Sequence, residues 1–401
     1  MITTNFNKMA YLIMVCPGTN NNKFYRMIQP QGESYFTVEY GRIGSKGMQR
    51  KYPTNQWYDK YQEKIKKGYL DRSDTQFISV EDVYREYKPI ANQVIQQFVS
   101  NLLAWANKKI RQSYTIKIEE VTPEMLEEAQ HCINALYNCE SVTSFNNSLV
   151  NLFTVLPRKM QKVSDSLIQN MNERVAVIDR EQDLLNTMQG QVFIRQKERN
   201  DTFESDKTIL ETYGLEITEA NDKEQKEVLD HMGIKADHVK RIYKVRNHDT
   251  EERFRAYCER NDIGKCKYLY HGSLNENFWS IFSNGLSLNP KAKLAGKMFG
   301  HGLYFATNPA KSMRYTSLKG CNNVHWGIAQ DTGLLAVYKV ATGNPYHVNV
   351  WDPAMAKLEE RSIKKLGYDS LWAHKGISLV NDEMIVYNED ACTIRYLLEL
   401  I

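Results

Sequence analysis

The residue pattern in the middle of this 401-residue chain constrains its fold most strongly. Within residues 89–200, large apolar side chains recur every three or four positions, which is the spacing of an amphipathic helix. One such run begins at Phe145 and ends at Pro157, because proline cannot continue a helix. Another follows Thr122, a residue type that caps helix N-termini. The pattern therefore predicts a helical bundle without chemistry of its own.

The ends of this bundle follow from the same pattern. Pro89 is expected to open its first helix, and its last helix is expected near residues 173–188. The charged segment 195–207 has few large apolar residues and is expected to be a linker. A domain boundary near residue 200 follows from that composition.

Strand-like segments rich in β-branched and aromatic residues lie on both sides of the bundle. Residues 1–88 contain two of them and then a helix, expected over 11–15, 36–40 and 55–67. Residues 201–401 contain more, expected at 239–245, 267–270, 334–340, 384–387 and 393–400. The expected fold is multidomain α+β: a small β-rich domain (1–88), an α-helical bundle (89–200) and a mixed α+β domain dominated by antiparallel sheet (201–401).

Composition narrows the class of protein. No stretch of about 18 apolar residues occurs, so no membrane span is expected. The N-terminus lacks a basic segment followed by an apolar run, so no secretory signal is expected. The seven cysteines are odd in number, and no two stand two residues apart. Free thiols in a reducing compartment are therefore expected, with no metal site.

A basic segment lies near the start of the chain. Between Arg42 and Arg72, nine basic residues accompany three acidic ones, and tyrosine and tryptophan are interleaved. This composition favours a polyanion-binding face. A lysine-rich helix surface that only faces solvent has the same composition, so charge alone leaves both interpretations open.

Four polar residues stand beside strand-like segments in the last domain. His271 ends one strand and precedes Gly272, so a ligand could meet both its ring and nearby backbone groups. Tyr304 and Tyr315 could flank a flat ring by offset stacking. Glu383 precedes an apolar run, where a carboxylate is costly unless it is hydrogen-bonded or functional. Taken singly, each also fits a structural role: a packed histidine, core tyrosines and a solvated strand end.

Two glycines, Gly300 and Gly302, stand just before Tyr304. Because glycine has no Cβ, backbone can approach other atoms closely there. They are expected to let the chain approach a flat ligand.

Taken in this order, these motifs resemble those of the catalytic domain of the poly(ADP-ribose) polymerase family. The matching segments are His271-Gly-Ser273, Met298-Phe-Gly300, Gly302-Leu-Tyr-Phe-Ala306, Lys311-Ser312 with Tyr315, and Glu383 ahead of Ile-Val-Tyr. The helical segment, including Asn151-Leu-Phe-Thr-Val-Leu-Pro157, resembles the family's regulatory helical domain. Val38-Glu-Tyr-Gly-Arg-Ile-Gly44 resembles the Trp-Gly-Arg domain that precedes it in relatives.

The resemblance implies NAD+ as the substrate and no metal. Glu383 would orient the acceptor hydroxyl and stabilise the positive charge that develops on the ribose as nicotinamide leaves. The residues implied at the catalytic centre are Glu383, His271 and Tyr304. Those implied to bind NAD+ are His271, Gly272, Ser273, Asn277, Tyr304, Ser312 and Tyr315, with Gly272 and Ser312 on the carboxamide and the two tyrosines on either side of the ring. Those implied at the acceptor site are Met298, Asn381 and Glu383.

The resemblance also implies that DNA breaks or nicks activate the enzyme through the first domain. The residues implied to bind DNA are Tyr40, Arg42, Lys46, Arg50 and Lys51. Tyr40 stands where that domain is named for tryptophan, so an aromatic face is retained. The helical region would obstruct the NAD+ pocket until DNA favours a loosened state. Asn381 stands where relatives commonly have tyrosine, so chain length or branching is expected to differ.

The implied function is a DNA-stimulated polymerase that transfers ADP-ribose from NAD+ to proteins, itself included, and to growing chains. One alternative is a mono-ADP-ribosyltransferase of the same fold, although mono-transferring relatives commonly replace the glutamate found here at Glu383. The other is a nucleic-acid-binding adaptor with a silent transferase domain, against which the intact His271, Tyr304 and Glu383 set argues. A monomer located with the DNA is expected, in the nucleus if eukaryotic and in the cytoplasm or nucleoid if bacterial.

Overall fold

The computed structural model describes residues 6–73, 86–199, 204–233, 235–288, 298–321, 329–376 and 379–401. The chain forms two compact units, one of residues 1–84 and 108–201 and the other of residues 85–107 and 202–401. The first contains a β-rich part followed by helices, and the second is built on a large sheet. The expected α+β class is confirmed at this level. The predicted three-domain division stays a prediction, and its boundary after residue 200 lies outside the described residues.

The first unit begins with an antiparallel sheet. Its elements are β1 (Phe6–Cys16), β2 (Asn21–Pro30), β3 (Tyr35–Arg42), β4 (Met48–Pro53), α1 (Trp57–Lys66) and β5 (Leu70–Asp71). The strands lie in the order β4-β3-β2-β1-β5. Alternate residues of β3, including Phe36 and Val38, are fully buried on the face that α1 covers with Trp57. The strands predicted over 11–15 and 36–40 are therefore confirmed, and both are longer than predicted.

Helix α1 closes this sheet. It ends after Lys66, and Gly68 adopts a left-handed backbone with φ of 84°, a conformation that glycine tolerates best. Two lysines, Lys64 and Lys66, occupy its last turn, where the helix dipole favours cations.

The helical part of the chain follows. Its helices are α2 (Gln93–Ser113), α3 (Pro123–Leu136), α4 (Val142–Val155) and α5 (Arg174–Arg199). As predicted, the Thr122 side chain caps α3 by accepting a hydrogen bond from the Met125 N–H, and α4 ends just before Pro157. The apolar stripes of α3, α4 and α5 meet in one buried core that includes Ile133, Phe145 and Met188.

Two predicted boundaries in this region are wrong. Helix α2 begins at Gln93 rather than at Pro89, and residues 195–199 belong to α5 rather than to a linker. The charges of the second segment do not end the helix because Arg195 and Glu198 form an ion pair at 2.7 Å, one turn apart.

The second unit contains the larger sheet and short helices. Its remaining elements are α6 (Ile209–Thr212), β6 (Leu215–Glu219), α7 (Asp222–Met232), β7 (Val239–Asn247), α8 (His248–Arg260), β8 (Cys266–Gly272), α9 (Phe278–Asn284), β9 (Leu303–Ala306), α10 (Pro309–Met313), β10 (Gly333–Ala341), β11 (Pro345–Val348), α11 (Glu360–Lys365), β12 (Ser370–Ala373), β13 (Glu383–Val386) and β14 (Cys392–Leu400). Of the five strand segments predicted after residue 238, four lie within these strands, and the fifth, 384–387, matches β13 except that the strand ends at Val386.

Among the described residues, this sheet has nine strands in the order β11-β12-β13-β9-β8-β10-β14-β7-β6. Every pair is antiparallel except β11 with β12. The interior strand β10 is mostly apolar and almost wholly buried, as expected for a strand covered on both faces. The start of α2 belongs to this unit, where Phe98 stacks on Tyr243 of β7 at 4.2 Å. No helix in the described ranges is both long and apolar enough to cross a membrane.

The helical part of the first unit contains a buried ion pair. Arg158 and Glu181 are bonded to each other, and their side chains are 7% and 2% exposed. The Arg158 guanidinium also lies 4.0 Å from the centre of the Tyr114 ring. Breaking such a pair from one side leaves a buried charge without its counter-ion, which is more costly than the pair is stabilising.

We expect Glu181→Ala to lower the free energy of unfolding by about 3–5 kcal/mol, because Arg158 would keep its buried charge. Urea unfolding of the whole chain measures this loss. The control is Glu140→Ala at an exposed position, expected to change the free energy by about 0.5 kcal/mol or less. Equal stability of the two variants would contradict a stabilising role for the pair.

Candidate active site

Strand pairing brings the predicted catalytic residues together. Glu383, the first residue of β13, pairs with Ala306 of β9, and Ile385 pairs with Tyr304. Because side chains alternate along a strand, Glu383 and Tyr304 project from the same face of the sheet. The end of β8, with His271 and Gly272, lies on the other side of β9 through the pairing of Tyr270 with Ala306.

The Glu383 carboxylate is held by an ion pair. Its side chain is 14% exposed, and its Oε1 accepts a hydrogen bond from the Nζ of Lys311, which is 16% exposed. The ion pair gives this mostly buried carboxylate a fixed partner on α10. Lys311 is part of a motif that matches the family, but the sequence alone predicts no role for it. Its place beside Ser312, in the same motif, was the available signal.

Helix α10 positions Lys311 and Ser312. The Asn308 side chain caps this short helix by accepting a hydrogen bond from the Ala310 N–H at 2.9 Å. The Ser312 hydroxyl is buried and donates to the carbonyl of Tyr270 at 3.0 Å. Its oxygen keeps lone pairs that can accept a hydrogen bond from an amide N–H. The predicted contact to the nicotinamide carboxamide stays a prediction.

The Gly272 position requires glycine. A Cβ placed there would lie 1.9 Å from the carbonyl oxygen of Ser312, so any side chain would force β8 and α10 apart. The predicted carboxamide-binding residues, Gly272 and Ser312, are therefore in backbone contact.

Gly300 and Gly302 also occupy positions where a side chain would not fit, but other segments of the protein are in the way. A Cβ at Gly300 would lie 2.1 Å from the carbonyl oxygen of Leu358, and one at Gly302 would lie 2.2 Å from Ile385. The expectation that they admit a flat ligand was wrong. They admit the protein's own chain, since both positions pack against neighbouring segments.

Tyr304 braces the segment before β9. Its hydroxyl accepts a hydrogen bond from the Phe299 N–H and donates one to the Gly300 carbonyl, both at 3.0 Å. Burial, aided by the nearby charge of Glu383, raises the pKa of the Tyr304 phenol far above its usual range. The side chain therefore stays protonated and keeps its donor.

Tyr315 is the more accessible of the two predicted stacking residues. It follows α10 and is 51% exposed. Its N–H donates to the carbonyl of Ser312 at 3.1 Å, which fixes its backbone next to the residues above. An accessible aromatic ring at this place suits stacking on a flat heteroaromatic group.

His271 is fixed by its surroundings. Its Nδ1 lies 3.3 Å from the carbonyl oxygen of Tyr304, and this nitrogen must be the donor because a carbonyl only accepts. The ring meets Phe305 and the buried Tyr338 edge-on at 6.0 and 6.2 Å. Two residues after His271, the Ser273 hydroxyl accepts a hydrogen bond from the side-chain amide of Asn277 at 3.0 Å, so these two predicted residues also lie together.

The predicted acceptor-site residues flank this group. Met298 is partly buried, and its carbonyl accepts a hydrogen bond from the Trp351 indole. Asn381 is partly exposed and stands two residues before Glu383. Within the described ranges, no cluster of three or more histidine, cysteine or acidic residues could hold a metal ion.

The predicted DNA-binding residues do not share one face. Arg50 and Lys51 are neighbours on β4, so their side chains point to opposite sides of the sheet. The Arg50 guanidinium lies 5.9 Å from the Tyr40 ring, whereas the Lys51 ammonium lies 4.2 Å from the Tyr35 ring. Lys46 is exposed in the turn before β4. That all of these residues bind DNA stays a prediction.

A basic aromatic groove lies on the Tyr40 side. Lys60 and Lys64 of α1 lie over the rings of Tyr52 and Tyr25, at 4.8 and 4.4 Å. The Tyr25 and Tyr40 rings are 6.1 Å apart. The Tyr25 ring is buried in the core of the sheet, and the members that are at least partly exposed, Tyr40, Arg50, Tyr52, Lys60 and Lys64, are called the basic aromatic groove.

Arg42 has a structural task. Its guanidinium donates to the carbonyls of Asn20 at 3.0 Å and Gln161 at 2.6 Å. The first of these carbonyls belongs to the β-rich part and the second to the helical part of the same unit. Two of its five N–H donors are therefore engaged within the protein, and the expectation that Arg42 binds DNA stays a prediction.

Comparison with known proteins agrees with this geometry. The profile of the poly(ADP-ribose) polymerase catalytic domain matches residues 221–372, and that of the WGR domain matches residues 9–76. A poly(ADP-ribose) polymerase-like protein, 100L, of Invertebrate iridescent virus 6 is 30% identical over 164 residues, which are 40% of this chain and 84% of that protein. Poly(ADP-ribose) polymerase 1 of Danio rerio is 29% identical over 185 residues, 40% of this chain and 17% of that protein.

A relative with a different name is also similar. Protein mono-ADP-ribosyltransferase PARP3 of Mus musculus is 23% identical over 195 residues, covering 40% of this chain and 33% of that protein. The predicted family resemblance is confirmed: the chain belongs to the poly(ADP-ribose) polymerase family and is an NAD+ ADP-ribosyltransferase.

Proposed function

We propose that this transferase is stimulated by DNA and builds poly(ADP-ribose) chains on protein acceptors, itself included. The observation that carries the proposal is the Glu383 carboxylate, held by Lys311 on the same sheet face as Tyr304. In the family, this glutamate accompanies chain growth.

The residues present fit NAD+, which supplies an ADP-ribosyl group joined to nicotinamide as a leaving group. Ser312 offers lone pairs for the carboxamide, and the half-exposed Tyr315 ring offers a stacking surface. The close approach of Gly272 to Ser312 leaves only backbone on that side. His271, Ser273 and Asn277 are proposed to bind the ribose and adenosine side.

Glu383 has two tasks in this proposal. Its fixed negative charge stabilises the positive charge that develops at the ribose more than it stabilises the ground state. It also accepts the proton of an attacking hydroxyl, for which a carboxylate must be ionised. Lys311 serves both tasks because its ammonium is ion-paired with the carboxylate and fixes the orientation of that carboxylate.

Chain growth rather than single transfer is supported by Glu383 itself, since mono-transferring relatives commonly lack it. The similarity to a protein named mono-ADP-ribosyltransferase keeps single transfer as the second candidate. Asn381 beside this glutamate is proposed to set chain length or branching.

DNA stimulation is supported by the match to a WGR domain and by the basic aromatic groove. Aromatic rings can stack on bases or sugars while cations meet phosphates. The hydrogen bonds of Arg42 join the β-rich part to Gln161 in the helical part, so DNA bound in the groove would act on the helices directly. We propose that the helical part restrains the enzyme until then, and that the protein acts as a monomer at DNA.

We expect Glu383→Gln to bind a non-reactive NAD+ analogue within about threefold of the original affinity but to lose about 10²–10³-fold in transfer rate, because only the charge is removed. Calorimetry measures binding, and labelled NAD+ measures transfer. Glu227→Gln, at an exposed position on α7, is the matched control. Chains of normal length from Glu383→Gln would refute the role of the carboxylate.

Labelled NAD+ with and without nicked duplex DNA tests the proposed function as a whole. A DNA-dependent ladder of automodified protein on a gel is expected, because each further unit adds mass. One shifted band would instead support single transfer. A ladder of equal strength without DNA would refute stimulation.

The two faces of β4 make DNA binding testable. Arg50→Ala should reduce the slope of log affinity against log salt by about 0.9, the value for one lost phosphate contact. Lys51→Ala, its neighbour on the opposite face, should leave the slope unchanged. Fluorescence anisotropy with a nicked duplex over a salt series measures both. The groove is excluded as the DNA site if Lys51→Ala alone changes the slope.

A further inference from the structure

A chain of four side chains lies at the β11 edge of the larger sheet. His347 comes from β11, Trp372 from β12, His374 directly follows β12, and Asp382 directly precedes β13. The Nδ1 of His347 and the Nε2 of His374 are 2.7 Å apart, and the Nδ1 of His374 is 3.3 Å from a carboxylate oxygen of Asp382. We call these four residues the Asp382 clamp.

The three rings of the clamp are packed together. His347 pairs with Trp372 in the strand register, and His374 is two residues further, so all three project from one face. The Trp372 ring is stacked with those of His347 and His374 at 5.7 and 5.4 Å. The rings therefore support one another from two adjacent strands.

Asp382 stands at one end of this row of four side chains, and its carboxylate makes the most hydrogen bonds among them. It accepts from the Trp372 indole at 2.9 Å, from the Lys375 N–H at 2.8 Å and from His374. Partial burial alone would raise the pKa of Asp382, but these hydrogen bonds lower it below the usual range. Asp382 is therefore a fixed carboxylate to which both Lys375 and Trp372 are tied.

The position of Asp382 gives the clamp its significance. It stands between Asn381 and Glu383, and Glu383 pairs across the sheet with Ala373, which lies between Trp372 and His374. Since neighbouring residues of a strand face opposite sides, the Asp382 carboxylate points away from that of Glu383. It holds the backbone at this point from the opposite face of the sheet, without contacting the face on which Glu383 and Tyr304 lie.

We propose that Asp382, bonded to Trp372 and His374 and backed by His347, is a positioning residue that fixes the backbone of Glu383 and Asn381. The proposal rests on the proposed roles of those two residues. A catalytic carboxylate must be held in its productive geometry, and a shift of about 1 Å can cost on the order of 100-fold in rate. Removing the clamp should therefore impair transfer more than NAD+ binding.

The test compares Asp382→Ala with Asp382→Asn in the full-length protein, measuring automodification with labelled NAD+. We expect Asp382→Ala to lower kcat about tenfold with KM for NAD+ within about twofold, because the carboxylate of Glu383 is displaced while the pocket is not. Asp382→Asn keeps an oxygen that can accept from Trp372 or Lys375, and it should recover kcat to within about threefold. His238→Ala, at an exposed histidine away from the clamp, is the matched control.

A second variant covers the case in which Asp382→Ala fails to fold. Trp372→Phe keeps the stacked ring and removes only the indole donor, and it should lower kcat about threefold at unchanged KM. An unchanged kcat in folded Asp382→Ala, or an Asn variant no better than Ala, overturns the positioning role. If the protein without any substitution shows no transfer activity, that result counts against the proposed function. Failure of the positioning role and failure of the proposed function are therefore distinguishable.

Discussion

The ion pair between Lys311 and Glu383 is the interaction on which the candidate site depends. Glu383 begins a strand whose next three residues are fully buried, and its own mostly buried carboxylate has the Lys311 ammonium as its partner. Its backbone is fixed on both sides by β9 and β12, and its side chain is fixed by α10. The same short helix brings Ser312 against Gly272. The ammonium of Lys311 thus links the Glu383 carboxylate to the helix that contacts Gly272.

The sequence predicted much of the secondary structure and the membership of the site. Helical and strand periodicity are local, so α4 and the five later strands could be read from residue spacing. The motifs around His271, Tyr304 and Glu383 identified residues that the sheet does bring together. That Arg50 and Lys51 lie on opposite faces of β4 follows from the alternation of side chains along a strand and is predictable from the sequence. A count of charges over the whole segment does not distinguish the two faces.

Contacts between distant residues could not be predicted. Lys311 meets Glu383 across 72 residues, and Arg42 meets Gln161 across 119. No periodicity reports such pairs, since they arise only when separate elements pack. For the same reason, Gly300 and Gly302 were assigned to a ligand, although their neighbours are Leu358 and Ile385. In the first unit, the hydrogen bond between Arg42 and Gln161 joins the β-rich part to the helical part. The change in composition between these two parts of the chain does not reveal that connection.

The strand order of the larger sheet has a consequence for how the protein behaves in concentrated solution. Its two outermost strands are short, β11 with four residues and β6 with five. β6 also carries two exposed acidic side chains, Glu216 and Glu219. A short, charged border offers few free backbone groups to a foreign strand, so edge-to-edge aggregation is discouraged. The long apolar strands β10 and β14, which would be the hazardous ones, lie inside the sheet.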